Sequence, residues 1–271
     1  MIKIFVLIKQ VPDTNNLQIN RISGTIIREG IENVINQDDF HALEFGLSLR
    51  EKYCGEVTAL TMGPPQAESA LRECLAMGVD KAIHVCDPIF AYSDTLQTTI
   101  VLKEVFDKIK DYDVIITGTK TSDSSTGQVP YQLSEALDIP LLTDIFSIEI
   151  NNNLVECHRN FGHESQNVEV ELPVLLRVGR HYDEPRHISL MGIKNAFEAE
   201  IEITDYACLN SPECIDGSTK SPTRVTKTEK PEEMIRKKEF IKGTTAEKVQ
   251  KLIKIMQGHG IEKIWVGEPH S

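Results

Sequence analysis

The stretch DVIITG, residues 113–118, followed by TKTSDSSTGQ, residues 119–128, decides how this chain is built. An uninterrupted apolar run, Val114-Ile115-Ile116, bounded by Asp113 and Gly118, suits a strand covered on both faces in a parallel sheet. The turn behind it carries hydroxyls, an aspartate and a glycine, and then opens a helix. Ser, Thr and Asp at that place supply oxygens that cap free helix amides. A strand, a small-residue turn and a helix make the repeating unit of a doubly wound α/β fold.

Working outward, the same alternation fills the first half of the chain. Ile2–Ile8, Glu56–Met62 and Ala82–Val85 read as further buried strands. Asp38–Tyr53, Pro65–Met77 and Thr95–Ile109 read as the helices between them. In the second of these, Ala67, Ala70, Leu71, Cys74 and Leu75 recur at helical spacing. Pro64-Pro65 stands at its start, where a missing amide costs nothing, and Gly78 lies just past its end. After Pro140 the pattern changes to short runs, Ile145–Ile150, Leu154–Arg159, Val168–Leu172 and Val174–Val178, with Asn151-Asn152-Asn153 as a turn. These are expected to form an antiparallel addition to the parallel core.

From Ala207 to Gly243 the chain is rich in Ser, Thr, Pro, Lys and Glu without a period, which reads as an extended arm. A final helix follows, with Thr244 and Glu247 as a capping box, an apolar stripe of Val249, Leu252, Ile253 and Met256, and Gly258 as its close. The expected division is therefore an α/β domain over 1–206 and an arm with its helix over 207–271, the helix lying on another chain.

Composition narrows the function. The 271 residues carry 41 acidic and 29 basic side chains, a formal net charge of −12, which argues against a nucleic-acid partner. No apolar stretch approaches the roughly 20 residues of a membrane span. The opening MIKIFVLIKQ is strand-like and too short for a secretory signal, so a cytoplasmic protein is expected. The six cysteines (Cys54, Cys74, Cys86, Cys157, Cys208 and Cys214) form no CxxC pattern and read as small buried or half-buried hydrophobes. The histidines, His158, His163, His181 and His187 among them, make no HxxxH or HExxH motif, so no metal site is expected.

In open α/β sheets a ligand sits beyond the carboxyl ends of the strands. Those ends are Leu7-Ile8-Lys9-Gln10, then Thr61-Met62-Gly63-Pro64, then Gly118-Thr119-Lys120 running into Thr121–Gln128. The last stretch places hydroxyls and Gly127 ahead of a helix start, whose unpaired amides and partial positive charge suit a phosphate. The plainer account is a turn whose Ser, Thr and Asp simply cap the helix. Lys9 would meet a phosphate or stand solvated at a strand end. Asn36 and Asp38 read first as helix caps, Asn36 alternatively as a partner for an adenine or ribose. GxGxxG, the Walker loop, GxSxG and SGGxDS are all absent, which weighs against an adenylating or ATP-hydrolysing enzyme on such a sheet.

These residues, taken in order, resemble the beta subunit of electron transfer flavoproteins. The resemblance runs through IKQVPDT (8–14), IREG (27–30), INQDD (35–39), ALE (42–44) and MGPPQAE onward from Met62 to Ala82. It continues in Asp123, Thr126-Gly127-Gln128, Leu172-Pro173, and DEPRHISL (183–190), with Ile193, Lys194 and Ala196 beyond. It implies a nucleotide-binding α/β fold like that of the adenine nucleotide alpha hydrolases. It also implies a buried nucleotide touched by Leu7, Ile8, Lys9, Asn36, Asp39, Thr61, Met62, Gly63, Gly118, Thr119, Lys120, Asp123, Ser124, Ser125, Thr126, Gly127, Gln128 and Val129.

Respiratory members hold AMP at that place, whereas members that split electron pairs hold a second FAD and use NADH. The KQVPDT opening and the TGQVP run are similar to the second group, so FAD is expected, AMP being the alternative. The resemblance further implies a larger alpha subunit as heterodimer partner, on which the arm and final helix pack. A flavin-dependent dehydrogenase, such as an acyl-CoA dehydrogenase, would dock at Leu190. Redox activity would belong to that complex rather than to this chain alone. The chain departs from the family pattern GxQAxDGD, having Gly118-Thr119-Lys120-Thr121-Ser122-Asp123-Ser124-Ser125. Arg159–Glu164 likewise lacks the family's acidic pair with glycines.

Overall fold

The computed structural model describes residues 1–13, 32–162, 164–179, 184–210, 214–224 and 240–258. Thr14, Ile27–Gly30, His163, His181 and Asp183 of the motifs above lie outside the described residues. Two compact units are distinguished, Met1–Arg224 and Val225–Ser271.

The first unit is built on strands β1 (Lys3–Leu7), β4 (Glu56–Met62), β5 (Lys81–Val85), β6 (Val114–Thr117), β7 (Leu141–Thr143), β11 (Val174–Arg177) and β12 (Glu202–Thr204). They pair in the order β12-β5-β4-β1-β6-β11-β7, every pairing parallel. β1 is central: Val6 stands beside Ala59 on one side and Ile116 on the other. Its side chains alternate between two apolar layers, as a strand period of two demands. Ile4 and Val6 join the layer of α1 (Gln37–Tyr53) and α2 (Glu68–Met77), with Leu43, Leu47, Leu71 and Cys74. Phe5 joins the layer of α3 (Thr95–Ile109) and α4 (Val129–Leu137), with Phe106 and Leu133. Helices on both faces explain why these strands read as unbroken apolar runs.

Helix ends follow local chemistry. Asp94 caps α3 by accepting from the Gln97 amide at 3.0 Å. Gly78 closes α2 in the left-handed region, at φ 109°. Asn36 occupies the cap position of α1 but makes no side-chain cap bond, contrary to the capping expectation. Its side chain and that of Asp38 are engaged elsewhere, as shown below.

The antiparallel addition is a separate three-stranded sheet of β8 (Ile145–Asn151), β9 (Leu154–Phe161) and β10 (Glu164–Glu171). Ile148, Val155 and Cys157 face the α1 layer, while Glu156 and Glu169 stay exposed. The fourth run expected there corrects to β11, which inserts into the parallel sheet between β6 and β7. Val174, Leu175 and Leu176 are buried from both faces, and an apolar run reports burial without reporting direction. A small hairpin of β2 (Gln10–Pro12) and β3 (Asn33–Ile35) precedes α1.

The first unit runs past residue 206 to Arg224. Leu209 and Ile215 are buried in the α3 layer, and α6 (Gly217–Lys220) follows them. Asp216 N–H donates to Gln97 at 3.2 Å and the Thr223 hydroxyl to Asp94 at 2.8 Å. In the second unit, α7 (Thr245–Gly258) starts with the capping box, Thr244 N–H donating to Glu247 at 2.8 Å. It buries none of its residues.

All six cysteines are free; Cys74 and Cys157 are buried and Cys86 half-buried. Cys54, Cys208 and Cys214 are exposed, which corrects the reading of every cysteine as a packed hydrophobe. Among the described residues no helix is long and apolar enough to cross a membrane, and no cluster of side chains could hold a metal ion.

Candidate functional site

The chain leaves β1 toward β4 and β5 and later returns to β6 on the other side of β1. That reversal lies at the carboxyl ends of β1 and β6, where such sheets usually form their ligand crevice. Leu7, Ile8 and Lys9 end β1, and Gly118 follows β6. Thr61, Met62 and Gly63 end β4 alongside, where the Thr61 hydroxyl donates to the Ile8 carbonyl at 2.7 Å.

Loop 118–128 crosses this edge and is tied down by α1. Asp38 accepts from the Thr119 hydroxyl and from the Lys120 amide. Asn36 donates to the Lys120 carbonyl at 2.9 Å and to Asp39 at 3.0 Å, and accepts from the Ser122 amide at 3.1 Å. Asp39 also accepts from the Lys9 amide at 2.8 Å, so one carboxyl joins the β1 end to the loop clamp. Gly118 is required there, because a Cβ at this position would lie 2.3 Å from an Asp39 oxygen.

Burial pushes the Asp39 carboxyl up to about 7, although the Lys9 amide and Asn36 both favour its charged form. Across the crevice Lys9 Nζ meets Asp123 at 2.6 Å. Burial raises the Asp123 carboxyl, yet the Lys9 ammonium, the Thr121 hydroxyl and the Ser124 amide together hold the group below its ordinary value.

Ser125 at φ 54° and Gly127 at φ 60° turn the loop into α4. Among the described residues the amides of Thr126, Gly127 and Gln128 donate to no protein acceptor. Together with the amide end of α4 they leave backbone donors free at a helix start. The Thr95 hydroxyl donates to the Gln128 side chain at 3.1 Å, joining the starts of α3 and α4.

Sequence reading missed three participants. Asp38 acts as a tether across more than 80 positions of chain rather than as a cap. Arg177, at the end of β11, donates to the Thr119 carbonyl at 3.3 Å and to the Tyr131 hydroxyl at 2.9 Å, bracing the loop from behind. The Thr117 hydroxyl, beside Gly118, is buried and has no partner among the described residues. A basic residue closing an apolar strand was the one available signal for Arg177.

Leu190 lies elsewhere, as the first residue of α5 (Leu190–Glu198), which packs on α2. It is 88% exposed, at a helix start rather than within a loop. Arg186, just ahead, grips Glu44 of α1 through two nitrogens, at 2.9 and 2.8 Å, and reaches Glu51 at 2.6 Å.

Comparison with known proteins adds a second line. The profile of the electron transfer flavoprotein domain matches residues 23–207. The chain is 40% identical over 251 residues to the electron transfer flavoprotein subunit beta of Thermoanaerobacterium thermosaccharolyticum, covering 92% of this chain and 96% of that one. The chain belongs to the electron transfer flavoprotein family, as a beta subunit. It is 38% identical over 231 residues to the caffeyl-CoA reductase-Etf complex subunit CarD of Acetobacterium woodii (84% and 88% covered). To the acryloyl-CoA reductase electron transfer subunit gamma of Anaerotignum propionicum it is 34% identical over 267 residues (96% and 100% covered). Beta-subunit membership makes electron transfer the setting in which the crevice and Leu190 are to be read.

Proposed function

We propose that this beta subunit pairs with an alpha subunit, holds FAD in the β1–β6 crevice, and exchanges electrons between NADH and a flavin-dependent acyl-CoA dehydrogenase or reductase in the cytoplasm. The observation that carries the cofactor reading is the loop end at Thr126–Gln128, three unpaired amides feeding a helix start at the reversal of the sheet. Such an end fits the phosphates of a dinucleotide. Leu7, Thr61, Met62 and Gly63 would wall the site, while Asn36, Asp38 and Asp39 hold Thr119, Lys120 and Ser122 in place. Lys9 and Asp123 would set the local charge, with Ser124, Ser125 and Val129 completing the rim.

The flavin supplies the redox chemistry when bound; the chain binds it, orients it and tunes its surroundings. The acyl-CoA partner class is supported by relatives whose names refer to caffeyl-CoA and acryloyl-CoA reductases. Electron bifurcation and the NADH link rest on the similarity of Lys9–Thr14 and Thr126–Pro130 to members from anaerobes.

The test is cofactor content. The purified heterodimer is denatured, and released FAD and AMP are counted. A second FAD per heterodimer, reducible by NADH, is the expected result. A single FAD with AMP would overturn the bifurcating reading and leave a simple electron carrier.

A further inference from the structure

The docking helix α5 has a weak apolar hold on the rest of the chain. Ala196 is its buried residue, while Leu190 and Phe197 are 88% and 79% exposed. Two backbone features fix it instead. Gly192 lies against the last turn of α2 so closely that a Cβ would sit 2.2 Å from the Ala76 carbonyl oxygen. At the other end, Arg72 of α2 donates through Nη1 to the carbonyls of Ala196 at 2.7 Å and Ala199 at 2.6 Å.

The last carbonyls of a helix have no partner within it and carry its partial negative charge, so a guanidinium there both satisfies and attracts them. The fork of Arg72 is itself held from one turn earlier on α2, with Glu68 accepting from Nε at 3.1 Å and Nη2 at 2.9 Å. Arg72 thus fixes both the angle and the depth at which α5 lies on α2.

From this geometry we propose that Arg72 is a positioning residue for partner docking: it sets the orientation in which α5 presents Leu190 to the dehydrogenase. The proposal rests on the reading of Leu190 as the docking anchor. Arg72 touches neither the partner's anchor pocket nor the crevice, so its effect passes through α5.

The experiment uses the intact heterodimer and steady-state electron exchange with an acyl-CoA dehydrogenase at varied concentration. Arg72→Ala is expected to raise the KM for that partner about fivefold, the size of coupling usual for groups in one contact network, with kcat and flavin content unchanged. In a Leu190→Ala background the same substitution adds no further rise. Arg72→Lys keeps the charge but lacks the Nε and Nη2 donors by which Glu68 orients the group toward the two carbonyls, and falls between. Amide exchange at Phe197–Ala199 should quicken in Arg72→Ala.

An unchanged KM in Arg72→Ala, with Leu190→Ala still impaired, overturns the proposal and leaves the docking reading standing. An equal rise in both backgrounds also overturns it, since Arg72 would then act on the fold at large. A wild-type KM in Leu190→Ala removes the docking reading, and the proposal with it.

Discussion

Asp39 shows how one side chain ties this site to pH. Its ordinary value is 3.8 and burial brings it to about 7 in the folded protein. The folded state therefore holds a proton that the unfolded chain has already released between those values. The associated stability is complete below the unfolded value and is lost as pH rises through about 7. Asp39→Asn removes the titration. Thermal unfolding of the heterodimer followed from about pH 4 to 8 should decline up to about pH 7 and level off above it in the parent, and lose that decline in the variant. Parallel declines in both would assign the pH dependence to another group. Gly127 offers a second test at this scale. A side chain there meets a left-handed backbone, costing about 1–2 kcal/mol, and points toward the Thr119 carbonyl at 3.0 Å. Gly127→Val should purify with depleted nucleotide, measured by release from the folded heterodimer; full retention would remove the phosphates from this loop.

Within the first unit, α5 exposes large apolar side chains, Leu190 and Phe197 among them. Leu190 adds little to the fold when it is 88% exposed, yet an apolar anchor seated in a partner can carry about 2 kcal/mol of binding. Leu190→Ala should slow electron delivery at low partner concentration with thermal stability unaltered; a fall in stability with docking untouched would make it a structural residue. How elements could be read beforehand is uneven for physical reasons. β4 and α3 have the very limits that their apolar runs and periods foretell, Glu56–Met62 and Thr95–Ile109. The Val174–Val178 run suggests the antiparallel sheet but forms β11 in the parallel one, because burial on two faces leaves the direction of pairing open. β7 and β12 are three residues each, too short for a period, and exist because longer neighbours pair with them. The crevice loop was legible from its hydroxyls and Gly127. Its clamp by Asn36 and Asp38 was not, since a cap and a long-range tether call for the same residue types.

At the scale of the molecule, the two units differ in how they could be stable. Met1–Arg224 has two apolar layers and holds the residues up to Thr223 through Gln97 and Asp94. In Val225–Ser271, α7 has its capping box and an amphipathic stripe, but Val249, Leu252 and Ile253 are exposed. An isolated helix of 14 residues is marginal in water, so its stability has to come from packing. We propose that in the heterodimer the alpha subunit supplies that packing surface. Truncation after Gly243 should therefore leave the unfolding of the sheet unit unchanged, because none of its buried residues is removed. The same truncation should weaken association with the alpha subunit: burying three such aliphatic side chains contributes about 1.5–3 kcal/mol each at most, and partial burial would still shift the dissociation constant more than tenfold. Sedimentation of the truncated and full-length chains with the alpha subunit measures this directly. A dissociation constant equal to that of the full chain would show that α7 takes no part in assembly.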